Sequence, residues 1–238
     1  MLVHSRTARI ALLLIAVHLA VRAVLAFGGY FYWDDLILVG RAGTQPLLSP
    51  AYLFDDHDGH VMPAAFLLAG TITRLAPLNW VGPALSLVVL AALAALALLR
   101  ALYVILGWRP VLLAPLTFAL FTPLAIPSYA WWAAGLNSLP MSAAMAWVCA
   151  DAILLIRTGR RRYAVSAVLV YVGGLLFFEK SAIIPFVAFA VVALYGHVTA
   201  TVSVRDVWRR GARVWLACLA VTGAWGGVYL LVVAQRRG

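Results

Sequence analysis

The chain has 238 residues, of which 65% are hydrophobic and 11% charged, with a formal net charge of +10. Soluble domains are roughly a quarter charged, and the mean hydropathy here is +1.00, so an ordinary soluble domain is excluded. The basic residues stand singly or in short clusters between apolar runs, the distribution of a polytopic membrane protein among its lipids rather than of a nucleic-acid-binding face.

In chain order, apolar runs near the ~20 residues needed to cross a bilayer fall at 9–27, 81–106, 111–127, 139–156, 163–178, 181–197 and 213–234. The expected fold is therefore all-α, a single transmembrane domain over 1–238 with about seven spanning helices. Arg6 and Arg9 precede the first run, but Arg22 interrupts it and no clean small-x-small site follows, so it reads as an uncleaved first helix. The long loop 28–80 holds one more apolar piece, and Pro63 suits the first turn of a helix over about 63–76. Fourteen residues at 1.5 Å rise give about 21 Å, too short for a hydrocarbon core of about 30 Å.

Charge parity assigns that piece to the membrane surface. If it crossed, the run 157–162 and the loop 205–213 would both lie outside. If it lies flat in the first outer loop, Arg6, Arg9, Arg100, Arg109, Arg157, Arg160, Arg161, Arg162, Arg205, Arg209, Arg210 and Arg213 share the inner side, twelve of the eighteen basic residues. The N-terminus is then expected in the cytoplasm of a multi-pass plasma-membrane protein. Seventeen of those basic residues are arginine and Lys180 is the one lysine, which with the abundance of Ala, Val and Leu points to a GC-rich bacterial genome. Cys149 and Cys218 lie in apolar segments and read as small buried hydrophobes.

The expected outer side collects the polar chemistry. Five of the eight acidic residues (Asp34, Asp35, Asp55, Asp56 and Asp58) lie between 34 and 58. The run DDHDGHVMP adds His57 and His60, the stretch 126–140 contributes Tyr129, Trp132 and Asn137, and the turn FFEKS brings Glu179 and Lys180. Arg22 sits near the outer end of the first helix. Separately, each has a bland reading: solvated helix exits, a polar turn at Gly59, a neutral Glu–Lys neighbour pair, a snorkelling arginine. Together they suit transfer from a lipid-phosphate donor, with a carboxylate taking the proton of an attacking hydroxyl and cations holding the leaving phosphate. The spacing of His57, Asp58 and His60 also permits a divalent metal.

The order of these features resembles the GT-C glycosyltransferases, most nearly the protein O-mannosyltransferases and the aminoarabinose transferases that act on lipid A. WDDL (33–36) resembles the family's acidic motif in the first outer loop. HVMPAAFLL (60–68) stands where the family has a His/Lys-Pro-Pro-Leu-like motif, with one proline instead of two. FFEKSAIIPFVAFAVVAL (177–194) is similar to a Thr-Lys-Gly-like motif, with Lys180 at the lysine position and Ser181 in place of glycine. The resemblance implies an inverting transferase in the cell envelope that moves a sugar from a polyprenyl-phosphate donor to an outer acceptor. In it, Asp34 or Asp35 is the base, with Asp35 slightly preferred, and Lys180 with Arg22 holds the phosphate. His57, Asp58, His60, Glu179, Tyr129 and Asn137 line the site. Family members are usually longer, so the resemblance is to a short member or a piece of one. The competing readings are a non-catalytic membrane scaffold or binding protein and, with less support, a transporter or flippase. Asp151, Arg100 and Arg22 make no continuous charged trail across the bilayer.

Overall fold

A computed structural model describes residues 6–237. It is an all-α bundle: α1 (Arg6–Phe27), α2 (Asp34–Thr44), α3 (Pro50–Leu53), α4 (Pro63–Leu75), α5 (Val81–Leu106), α6 (Leu113–Phe121), α7 (Pro127–Ala130), α8 (Trp132–Thr158), α9 (Arg161–Phe177), α10 (Ile184–Val198) and α11 (Val204–Arg237). Among the described residues five helical segments are long and apolar enough to cross a membrane: α1, α5, α8, Glu179–Val198 and Val204–Ala234.

The other two expected spans are helical but differ from a simple rod. The helix α9 has 17 residues, at the lower limit for a span. The segment expected over 111–127 breaks at Thr122, and a 3₁₀ turn (Pro123–Ala125) leads into α7. Proline has no N–H to continue the ladder, so Pro123 and Pro127 each start a new piece. Even so, both segments join the same two ends of the bundle. Arg109 shares a cavity with Arg157, whereas Ser128 and Phe178 share one with Asp34. The 27 residues of α8 separate these ends by about 40 Å.

Two further boundaries move. α8 begins at Trp132, seven residues before the expected 139, so Asn137 and Ser138 lie on a helix and not in a loop. Pro140 sits inside this helix, which membrane helices tolerate where neighbours re-satisfy the freed backbone group. The run 205–213 is the first part of α11, not a connecting loop. Ser203 starts it as an N-cap: its Oγ accepts from Asp206 N at 3.2 Å and donates to Asp206 Oδ2 at 2.7 Å, satisfying one of the free N–H groups of the first turn.

Packing forms three apolar clusters. One joins α8, α9, α10 and α11 around Val148, Ile153, Tyr171 and Trp215. A second, at the Asp34 end, gathers Leu38, Tyr52, Phe66, Leu87, Trp132 and Leu136. The third packs α1 against α5 and α6 through Ile15, Leu99, Leu112 and Leu116. In the second cluster Tyr52 is fully buried and donates its hydroxyl to Phe66 O at 2.9 Å. Trp132 donates from Nε1 to Ser86 Oγ at 2.9 Å, so its buried N–H is satisfied between α5 and α8. Cys149 and Cys218 are buried free thiols. The short helix α4 occupies Pro63–Leu75 and packs on α2, α3, α5 and α9, roofing the bundle at the Asp34 end.

Candidate functional site

The adjacent aspartates have different fates. Trp33, at the N-cap of α2, has φ 45 and ψ −110, a region that costs a non-glycine residue on the order of 1–3 kcal/mol. After this bend Asp35 turns inward and is fully buried. Its Oδ2 accepts from Tyr32 N at 3.0 Å and its Oδ1 from Ala133 N at 2.8 Å. Asp35 therefore staples the start of α2 to the start of α8. Burial pushes its pKa up, and the backbone N–H bonds oppose that shift. Asp34 points elsewhere: its side chain is 17% exposed, its Oδ1 has no partner, and its Oδ2 lies 4.0 Å from His57 Nε2.

The acidic run 55–60 is a tight hairpin turn. His57 N donates to His60 O at 3.0 Å and His60 N donates to His57 O at 2.9 Å. Between them Asp58 and Gly59 have φ 52 and 84, the paired left-handed conformations for which Asp-Gly is a preferred sequence. Asp56 Oδ1 accepts from Gly59 N at 2.7 Å, and Tyr229 of α11 donates its hydroxyl to Gly59 O at 2.9 Å. Arg41, at the end of α2, pairs with Asp55 Oδ2 at 3.2 Å and donates to Asp56 O at 3.3 Å. His60 Nδ1 lies 2.7 Å from Glu179 Oε1, which clasps the hairpin to the turn before α10. The hydrogen bond to Glu179 holds the His60 pKa above its ordinary value. His57 is 5% exposed, and burial, with Arg41 nearby, pushes its pKa down.

These elements enclose a half-open cavity of about 400 Å³ lined by Asp34, His57, Asp58, His60, Asn137 and the residues around them. Four buried polar atoms of its lining have no hydrogen-bond partner: Asp34 Oδ1, His57 Nε2, Trp131 Nε1 and Asn137 Oδ1. Unpaired buried polar groups cost about 1–3 kcal/mol each, so these four offer donors and acceptors to a polar ligand.

Of the sequence candidates, Asp34, His57, Asp58, His60 and Asn137 meet at this cavity, and the others stand back from it. Asp35 is consumed in the staple. Glu179 acts through His60. Lys180 is exposed, with Nζ 5.1 Å from the ring centroid of Phe178, itself a lining residue. Arg22 does not line the cavity. Its guanidinium lies 3.9 Å from the Tyr129 ring centroid and bonds Leu120 O at 3.5 Å, behind α7. Ser128, Trp131, Ser138 and Phe178 line the cavity without having been singled out as site residues. Ser138 was legible only as a helical neighbour of Asn137, which the loop reading of 126–140 concealed.

The metal-capable set also differs from the sequence expectation. Asp34, His57 and Asp58 each present a ligand atom, all within 4.8 Å of one another. His60 is replaced by Asp34, because its Nδ1 is committed to Glu179. No protein family, characterised protein or solved structure matches the chain.

Proposed function

We propose that the protein is an inverting glycosyltransferase of GT-C type that uses a polyprenyl-phosphate sugar in a bacterial plasma membrane, with its N-terminus in the cytoplasm. The observation that carries this reading is a cavity lined by Asp34, whose buried Oδ1 has no hydrogen-bond partner, at the end of the bundle remote from Arg109 and Arg157. Positive-inside placement puts that arginine-bearing end in the cytoplasm and the cavity outside.

In this mechanism the acceptor hydroxyl attacks the anomeric carbon on the face opposite the phosphate. The new C–O bond forms as the bond to the phosphate oxygen breaks. The hydroxyl proton passes to Asp34, and the polyprenyl phosphate leaves with the bonding electron pair. Asp34 replaces Asp35 as the preferred base, because both oxygens of Asp35 accept backbone N–H groups away from the cavity. Lys180, on the turn beside Phe178, is assigned the leaving phosphate, a role supported by its Nζ lying 5.1 Å from the ring of that lining residue. Arg22 drops out of that role, since Tyr129 and Leu120 hold it elsewhere. Asn137 supports acceptor or sugar hydroxyls.

The test is sugar transfer in membranes carrying Asp34→Asn. Loss of a general base costs about 10²–10⁴-fold in rate, and the variant retains the wild-type thermal midpoint because Asp34 makes no hydrogen bond within the fold. Full activity in a folded Asp34→Asn protein overturns the mechanism.

A further inference from the structure

We propose that Asp34, His57 and Asp58 form a binding site for a divalent cation of the Mn²⁺ class, an inference that stands on the site geometry and does not depend on sugar transfer. The three ligand atoms come from two elements, the first turn of α2 and the 57–60 hairpin, and lie within 4.8 Å of one another. With metal–ligand bonds of about 2.0–2.2 Å, opposite ligands on one ion stand about 4.4 Å apart and adjacent ones about 3 Å. Bringing all three onto one ion therefore takes an inward movement on the order of an ångström, which side-chain rotation at the exposed Asp58 and at Asp34 supplies.

A second observation points to a ligand independently of the acidic cluster. His57 is more than nine-tenths buried, and its Nε2, directed toward Asp34 Oδ2, has no hydrogen-bond partner. A buried imidazole nitrogen left open beside two carboxylates is costly in a folded protein unless something fills the gap.

Charge accounting supports the same conclusion. Arg41 is taken by Asp55 and the Asp56 carbonyl, and His60 is taken by Glu179. Among the described residues no lysine or arginine lies within ion-pair distance of Asp34 or Asp58. The hairpin thus delivers two uncompensated carboxylates and one neutral-capable imidazole to the same point.

Two carboxylate oxygens and one imidazole nitrogen are hard-to-borderline donors, which suits Mn²⁺ and its neighbours over soft, thiolate-seeking ions. Three protein ligands leave the remaining positions open toward the cavity. Asn137 Oδ1 and Trp131 Nε1, both unpartnered there, supply an acceptor and a donor for whatever occupies them. Asp34 has two oxygens, so ligation through Oδ2 leaves Oδ1 unligated.

The experiment is a titration of the purified full chain in detergent with Mn²⁺ alone, read by loss of the free-ion electron paramagnetic resonance signal. The wild type takes up one Mn²⁺ per chain. Asp58→Asn weakens uptake by about tenfold or more; asparagine keeps the left-handed φ of this exposed turn position, so the fold is not at risk. Asp56→Asn, which retains an acceptor for Gly59 N–H and is not a ligand, binds as the wild type does. An unchanged free-ion signal with the wild type, or Asp58→Asn binding equal to it, overturns the site. A chain that binds Mn²⁺ but transfers no sugar upholds the site and overturns the transferase reading; transfer without Mn²⁺ uptake does the reverse.

Discussion

Two regions of this bundle bury charge, and they do it in opposite ways. Toward the arginine-bearing half, Arg100 of α5 bonds the fully buried Asp151 of α8, donates to Trp147 O at 3.2 Å, and lies 4.2 Å from the Trp147 ring centroid. There the charge has its counter-ion, a carbonyl and a ring face supplied from within, and one oxygen, Asp151 Oδ2, is left without a hydrogen bond beside its paired partner. At the other end, Asp34 and His57 are held close but not paired, each with an unpartnered buried atom, and both residues line a cavity. The first arrangement holds a direct ion pair between two helices. The second costs stability and makes sense as a place for something to bind.

The comparison can be broken most forcefully at Arg100. Arg100→Met leaves Asp151 buried without its partner, and loss of one member of such a pair costs about 3–5 kcal/mol. The double variant Arg100→Met with Asp151→Leu recovers most of that loss, because apolar side chains of similar size replace the pair. Thermal unfolding in detergent reads both variants, and a double variant as unstable as the single one contradicts the self-contained reading. In contrast, Asp34→Asn leaves the unfolding midpoint where it was and, under the proposed transferase function, lowers sugar transfer.

A smaller effect is expected from Gly135→Ala. A Cβ there would stand 2.1 Å from Leu87 Cδ2 and 2.7 Å from Ser128 O, so the backbone of α7 must move. Overpacking of this kind costs about 1–3 kcal/mol, and the shift carries Ser128 away from the cavity it lines. Under the proposed transferase function, sugar transfer falls along with the midpoint. An unaltered midpoint would show that α7 yields freely and that the cavity wall is softer than its packing implies.

The smallest effect belongs to the His60–Glu179 clasp. Because the pair raises the folded-state pKa of His60 above 6.5, its contribution is full below that unfolded value and is lost as pH rises through the raised folded one. Glu179→Gln should therefore lower the midpoint in mildly acidic buffer, by about 1 kcal/mol or less for a partly exposed pair, and converge on wild type in alkaline buffer. Scans with a chelator present keep the cation site out of this comparison. A gap between the two proteins that widens with rising pH would contradict the sign.

Much of the fold could be read from apolar run length, because a bilayer imposes a minimum on every crossing segment. Boundaries were harder. The N-terminal extension of α8 carries Asn137, Ser138 and Pro140, residues that resemble loop chemistry until Asp35 is seen accepting the N–H of Ala133 at the helix start. Positive charge hid the helical start of α11, although Ser203 and Asp206 form its cap. The helix α2 escaped notice because its eleven residues are too few for a span. At the site, composition gathered the right segments but could not choose between Asp34 and Asp35. Neighbours in sequence point about 100° apart on a helix, and only the contact with α8 decides which is buried.

The hydroxyl of Tyr229 reaches the carbonyl of Gly59 across 170 residues of chain. In a protein inserted into its membrane from the N-terminus onward, the hairpin leaves the ribosome early and waits for that bond until α11 has entered the bilayer. A nascent chain halted before Tyr229 carries Asp34, His57 and Asp58 without the latch that steadies their turn. Competence of the cavity is thereby coupled to completion of α11, a form of timing written into a single hydrogen bond.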